Sequence, residues 1–306
     1  MKTAFLFPGQ GAQTVGMGLD LYDYYTDYKS TFDKCQQGSG KDLKAACFEG
    51  RGMDQSETVQ PAIFAHSVSL FGVLQNKGII PQFCAGLSLG EYGALCSAGV
   101  FHAGRCARLV MIRGKIMDGA YPAGAGGMLS VIGFTINQVQ EAIKDFSDAY
   151  AANHLSEFQT VIAGKNDDLE KIKCLFEEKG AAMVTMLDVK VPSHAPLLSS
   201  AAREFSAVLE NETLFGMRRT VYSNVLGSPY NKDSDIRGLL ARQMCEMVRW
   251  NDCVEHMLSQ GVGRFVEVGP SAVLSKLLKR RVGKNAEVYS VRDRQTLEQF
   301  LERCEK

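Results

Sequence analysis

The chain has no long apolar run: no segment approaches the roughly 20 consecutive apolar residues that cross a bilayer. Its opening MKTAFLFPGQG meets Pro8 and Gly9 after an apolar stretch too short for a signal peptide. It also lacks an excess of either charge, since 34 Lys and Arg against 34 Asp and Glu give a formal net charge of zero. Nucleic-acid and membrane-surface partners call for a cationic surplus, so the balance argues against both, and KRR at 279–281 reads as a solvated helix end. The nine cysteines form no Cys-x-x-Cys pair and there is no histidine cluster, so zinc spacing is missing. Such thiols fit small buried hydrophobes in a reduced, cytoplasmic protein. The glycine cluster GQGAQTVGMG at 9–18 has neither G-x-G-x-x-G nor G-x-x-x-x-G-K spacing, which argues against a dinucleotide or phosphate loop. No internal repeat or low-complexity tract is present.

What is present begins with length: 306 residues suit one large domain with an insertion, or two domains, with a sizeable core. AFLF at 4–7 and FCAGLS at 83–88 read as short strands separated by helix-length segments, the alternation of a parallel sheet with helices on its faces. GAGGM at 124–128 reads as a flexible junction, after which the pattern changes. MLSVIGF predicts a strand, TINQVQEAIKDF a helix, YAANH to VIAG a strand pair, DDLEKIKCLFEEKG a helix and AAMVTMLDV a last strand. That β-α-β-β-α-β order is a ferredoxin-like pattern. The expected fold class is therefore α/β: a large domain with a parallel sheet, residues 1–126 and 193–306, interrupted by a small ferredoxin-like α+β subdomain at 127–192, and the Gly-x-Ser-x-Gly turn at 86–90 makes the large domain hydrolase-like. FVEVG at 265–269 is the clearest late strand.

Ser88 stands at the centre of Gly86-Leu-Ser-Leu-Gly90, between a strand-like and a helix-like run. On such a turn the glycines let the backbone close and push the hydroxyl outward, with the helix N-terminus aimed at it. A serine needs a base to act as a nucleophile, and His66, His102, His154, His194 and His256 are all candidates. Asp188 lies where a Ser-Asp-His chain order would put an acid. On the helix around 105–118, Cys106, Leu109, Val110, Ile116 and Met117 form one apolar face with Arg113 in its middle, whereas Arg105, Arg108, Lys115 and Asp118 can face water. A buried arginine needs an anion, and both a ligand carboxylate and a protein acid such as Glu91 satisfy that need.

Over nearly its full length the chain resembles the malonyl-CoA:acyl carrier protein transacylases, the acyltransferase family of fatty acid and polyketide synthesis. The landmarks are FPGQGAQ at 7–13, TVQPAIFA at 58–65, GLSLGEYGAL at 86–95, IRGKIM at 112–117, AANHLSEFQTVIAG at 151–164, VPSHAPLL at 191–198, SNVLG at 223–227, RQMCEMVRW at 242–250 and FVEVGPSAVLSKLLKR at 265–280. The resemblance implies a malonyl-Ser88 ester, with His194 as base and acid, and with a backbone carbonyl near Gln243 rather than a carboxylate accepting the imidazole N–H. It further implies an oxyanion hole from the N–H groups of Leu89 and Gln10, and Arg113 on the malonyl carboxylate. Asn153 would line the acyl or pantetheine path. Malonyl-CoA and acyl carrier protein are the implied partners, with the coenzyme A thioester as substrate and no metal or redox cofactor. A monomer is expected.

Some positions depart from the family pattern. Leu87 replaces a frequent histidine, Leu155 and Glu157 replace a frequent Asn and Pro, and Met247 stands where many relatives have proline. Ser193, a small residue ahead of His194, suits relatives that take malonyl rather than bulkier units. Two rivals are weighed. A hydrolase of acyl-carrier or acyl-CoA thioesters would share these residues but, acting on simple acyl groups, has no carboxylate for Arg113 to hold, and a non-catalytic carrier-binding protein would be expected to have lost Ser88 or His194.

Overall fold

The computed structural model describes residues 1–304. In chain order its elements are β1 (Lys2–Phe7), α1 (Leu19–Tyr24), α2 (Thr26–Ser39), α3 (Leu43–Glu49), α4 (Ser56–Asn76), β2 (Phe83–Gly86), α5 (Leu89–Ser97) and α6 (Ala103–Asp118). Then come β3 (Gly126–Ile132), α7 (Ile136–Ile143), β4 (Ala149–Ser156), β5 (Gln159–Lys165), α8 (Asn166–Glu178), β6 (Met183–Met186) and α9 (Ser199–Glu210). The chain closes with β7 (Thr220–Ser223), β8 (Ser228–Pro229), α10 (Ile236–Arg242), α11 (Trp250–Ser259), β9 (Val262–Val268), α12 (Val273–Val282), β10 (Glu287–Val291) and α13 (Arg294–Cys304). Two compact units emerge. The first holds Met1–Lys115, Thr213–Tyr222 and the chain from His256 onward, and the second holds Ile116–Glu212 and Ser223–Glu255. Among the described residues no helix is long and apolar enough to cross a membrane.

In the first unit, strands run parallel in the order β10-β9-β1-β2-β7. β1 is central and buried from Thr3 to Phe7, and a strand covered on both faces must be apolar throughout rather than alternating, as AFLF is. Phe7 pairs with Gly86, so β1 and β2 end level. The turns that follow them, at Pro8–Gly11 and Leu87–Ser88, therefore leave the same carboxyl edge, where open parallel sheets carry their ligands. β2 stops at Gly86, two residues short of the strand read from FCAGLS, because the backbone turns abruptly at Ser88. α4 runs through Pro61 and is buried along most of its length.

The second unit contains an antiparallel sheet of order β4-β5-β3-β6, with α7 and α8 in the connections. Period-2 alternation explains its two faces. Leu129, Val131 and Ile162 join Val139, Ile143, Leu169, Ile172 and Phe176 in one core. Met128, Val161 and Ala163 point the other way, into a smaller cluster with Ala195. α7 starts at a capping box formed by Thr135 and Gln138, which satisfies two first-turn donors. The glycines of GAGGM are not a free junction: Gly126 and Gly127 pair with Lys165 and Gly164. Side chains there would collide, since a Cβ on Gly127 would sit 2.8 Å from Asn166 Oδ1. β6 ends at Met186, so the reading of a strand to residue 189 is too long and Asp188 lies beyond it.

Candidate active site

Ser88 is the N-cap of α5, with φ 53° and ψ −110°. Glycine favours this conformation, that of the first central residue of a II′ turn, and a side chain there costs on the order of 1–3 kcal/mol. Neighbouring backbone holds it in place. Leu87 N–H donates to the Phe7 carbonyl at 3.0 Å, Gly90 N–H to the Leu87 carbonyl at 2.9 Å and Glu91 N–H to the Ser88 carbonyl at 3.0 Å. The flanking glycines are needed for room and not for positive φ, which neither has. A Cβ on Gly86 would lie 1.9 Å from the Gly90 carbonyl carbon, and one on Gly90 would lie 1.9 Å from the Phe7 carbonyl oxygen. Strain is therefore concentrated on the serine, whose residue is half-buried. Leu89, the first residue of α5, carries an N–H in the helical turn where intrahelical acceptors are absent, at the positive end of the dipole.

Arg113 is 1% exposed, in the middle of the buried stripe of Cys106, Leu109, Val110, Ile116 and Met117. Arg105, Arg108, Lys115 and Asp118 are exposed, as the periodicity predicts. One guanidinium nitrogen, Nη1, donates to Gln60 Oε1 at 2.8 Å, and the other, Nη2, donates to Ser88 Oγ at 3.1 Å. The group lies over the Tyr92 ring, 5.5 Å from its centroid. Burial pushes the Arg113 pKa down, while Tyr92 and, after it, buried Glu91 push it back up. Because guanidinium only donates, its bond to Oγ directs the serine O–H proton elsewhere, toward a base. Gln60 Nε2 in turn donates to Gln10 Oε1 at 3.2 Å, and Gln10 Nε2 to Ser56 Oγ at 3.2 Å.

His194, in the second unit, has φ 62° and shares with Ser88 a distinction: among the described residues they are the non-glycine positions with positive φ. Its N–H donates to the Met244 carbonyl at 3.0 Å. Its Nδ1 lies 2.6 Å from the Gln243 carbonyl oxygen. A carbonyl accepts only, so Nδ1 carries the proton and Nε2 keeps its lone pair, the tautomer of a general base. The partner that orients the imidazole is thus the backbone carbonyl named above, not Asp188. Gln243 is fully buried and its Nε2 faces Asn224 Oδ1 at 3.5 Å.

Asn153 lies on β4, paired with Val248 in a parallel bridge. His154 N–H donates to the Val248 carbonyl at 2.9 Å and Val248 N–H to the Ala152 carbonyl at 2.8 Å, which ties this strand to the segment just after Gln243. His154 Nδ1 is 3.4 Å from Asp252 Oδ1, and that contact leads the lowering of the Asp252 pKa. The remaining histidines are engaged elsewhere: His66 with Tyr28, His102 against Phe215 and His256 with Tyr222. Ser88, Leu89, Gln10 and Arg113 therefore belong to the first unit, and His194, Gln243 and Asn153 to the second. Gln60, Ser56, Tyr92 and Asn224 had no role in the sequence reading. Gln60 could have been found by the logic that found Arg113, being a polar side chain inside the apolar run TVQPAIFA, and it is 1% exposed.

Residues 4–302 match the acyl transferase domain family. A malonyl CoA-acyl carrier protein transacylase of Haemophilus influenzae is 38% identical over 299 residues, covering 95% of this chain and 96% of that protein. The crystal structure of the malonyl CoA-acyl carrier protein transacylase from Clostridium perfringens superposes with a TM-score of 0.96 at 34% identity, over 100% of this chain and 98% of that one. A malonyl-transacylase solved in complex with its type II polyketide acyl carrier protein superposes with a TM-score of 0.94 at 35% identity, over 99% and 100% of the two chains.

Proposed function

The chain belongs to the acyl transferase domain family, and from that premise we propose how its residues act as a malonyl-CoA:acyl carrier protein transacylase. The observation that carries the reading is the fully buried Arg113, whose fork reaches the oxygen of a strained serine. Ser88 Oγ attacks the malonyl thioester carbonyl as His194 Nε2 takes its proton. The tetrahedral intermediate collapses by breaking the C–S bond, and the coenzyme A thiol leaves with that proton. The phosphopantetheine thiol of the acyl carrier protein then gives its proton to Nε2, and its sulfur attacks the malonyl-Ser88 ester. Breaking the ester C–O bond returns the proton to Oγ. The N–H groups of Leu89 and Gln10 stabilise both oxyanions, and Gln243 fixes the tautomer of His194. Asn153 serves the acyl path.

Arg113 meets the malonyl carboxylate with two parallel donors, the geometry in which arginine surpasses lysine. The chemistry requires no metal or redox cofactor. In this reading the parallel-sheet unit is hydrolase-like, the β3–β6 segment is ferredoxin-like, and the protein works as a cytoplasmic monomer without nucleic-acid or membrane partners. The strand orders of the two sheets support the first two points, and the nine free cysteines suit a reducing compartment. A hydrolase of simple acyl groups on this scaffold has no carboxylate for Arg113 to hold.

Intact mass after brief exposure to malonyl-CoA or acetyl-CoA tests the reading. A malonyl adduct absent in Ser88→Ala, weak with acetyl and reduced about 100-fold in rate in Arg113→Ala is the expected result. Equal labelling by both donors followed by rapid loss to water would favour the hydrolase.

A further inference from the structure

The side chains behind Ser88 form a hydrogen-bonded line whose direction is set at one end. Arg113 can only donate, so the Gln60 amide must turn its oxygen, Oε1, toward Nη1, which lies 2.8 Å away. Its nitrogen is then committed to the other side, where Gln10 Oε1 accepts at 3.2 Å. Gln10 must accordingly aim its own nitrogen at Ser56 Oγ, also at 3.2 Å. Each amide orientation follows from the one before. Gln60 is a residue of α4, Arg113 of α6 and Gln10 of the turn after β1, so three segments of the first unit that are distant in sequence meet at one buried amide.

We propose that Gln60 is a positioning and specificity-determining residue, holding the Arg113 fork in the plane that receives a carboxylate and coupling that fork to the oxyanion turn at Gln10. The inference rests on the transacylase reading above. An acyl donor with a free carboxylate engages Arg113. Through Gln60 that engagement fixes the side chain of the residue whose backbone N–H binds the oxyanion, so the turn is ordered more firmly for a carboxylated donor. A donor without the carboxylate meets the same oxyanion N–H groups but does not engage Arg113, so the amide line transmits nothing to its reaction. Two substitutions separate the functions of the two ends of Gln60. In Gln60→Glu the side chain becomes acceptor-only. One oxygen forms an internal ion pair with Arg113 in competition with the substrate, and the other faces Gln10 Oε1, oxygen against oxygen, so the Gln10 amide must flip. In Gln60→Met the volume is nearly kept, but both bonds are removed.

The test measures the rate of Ser88 acylation against donor concentration, by rapid-quench intact mass on the full chain, for malonyl-CoA and for acetyl-CoA. For Gln60→Glu and Gln60→Met, acylation efficiency with malonyl-CoA should fall about 10- to 100-fold, the size of a lost hydrogen bond to a charged group. Gln60→Glu should act mainly by raising the half-saturating concentration, as expected for a competing internal carboxylate. Acetyl-CoA should change by less than about 3-fold, so that the malonyl-to-acetyl ratio collapses. Gln10→Met keeps the backbone N–H and breaks only the far link. It should slow the maximal rate with malonyl-CoA while leaving the half-saturating concentration unchanged. This variant sits at an exposed position and serves if the α4 variants fail to fold, as judged by thermal melting. A folded Gln60 variant with the wild-type malonyl-to-acetyl ratio, or a Gln10→Met indistinguishable from wild type, overturns the inference alone. Absence of a malonyl preference in the wild type overturns the transacylase reading and this inference with it.

Discussion

His66 lies fully buried against Tyr28, whose hydroxyl is 2.7 Å from its Nδ1. Burial lowers the His66 pKa from 6.5 to about 4, against weaker upward pulls from Asp293 and the backbone at Arg292 and Gly269. Between those values the unfolded chain binds a proton that the folded chain refuses. The stability tied to neutral His66 is thus complete above pH 6.5 and is lost as pH falls through about 4; the total is about 3 kcal/mol. Urea unfolding at pH 7, 5.5 and 4.5 should show this slope in the wild type and a flatter one in His66→Gln. Among single residues, Arg113 was legible because charge on an apolar stripe is costly and periodicity exposes it. His194 was not, since five histidines carry no mark that separates them without the family resemblance. Its positive φ, the feature that sets it apart, is a tertiary outcome that a sequence does not display. Gln60 was open to the same logic as Arg113 but was missed, because amides are cheaper to bury than cations and attract less suspicion.

The turn from β2 into α5 is tight enough that a single methyl group decides its fate. A Cβ on Gly90 would overlap the Phe7 carbonyl at 1.9 Å, and both partners are backbone that cannot rotate away. Gly90→Ala should therefore destabilise the first unit by at least about 3 kcal/mol, the upper end of ordinary overpacking, visible as a drop in Tm together with loss of acylation. A Tm within a degree of wild type would mean that β1 can shift. Elements with a strong period were legible: the helices α7 and α8 and the strands β1, β3 and β5 stand close to where their patterns put them. Boundaries were less so. Glycines in GAGGM were read as flexible because glycine commonly marks loops, yet Gly126 and Gly127 are strand residues chosen for close approach. Space around a backbone cannot be seen in one dimension.

Across the whole molecule the chain enters and leaves the second unit twice, at 115/116, 212/213, 222/223 and 255/256, and this discontinuity was only partly visible from composition. Residues 124–188 nevertheless form a continuous stretch with a core of its own, from Leu129 to Phe176. Expressed alone, this stretch should keep its circular-dichroism signature but melt below the full chain, because a segment of this size buries little surface and its Met128 face loses Ala195. A random-coil spectrum would show that the core depends on the rest of the protein. The conformation of Ser88 also has a consequence for the evolution of the sequence. Its angles suit glycine, so replacing it with glycine should relieve strain on the order of 1–3 kcal/mol while removing the nucleophile. A mutant library sorted only for folding should drift toward glycine at position 88, whereas the same library sorted for growth on its product should hold serine. Thermodynamics alone would erase the enzyme, and serine persists there only under continuing selection for turnover.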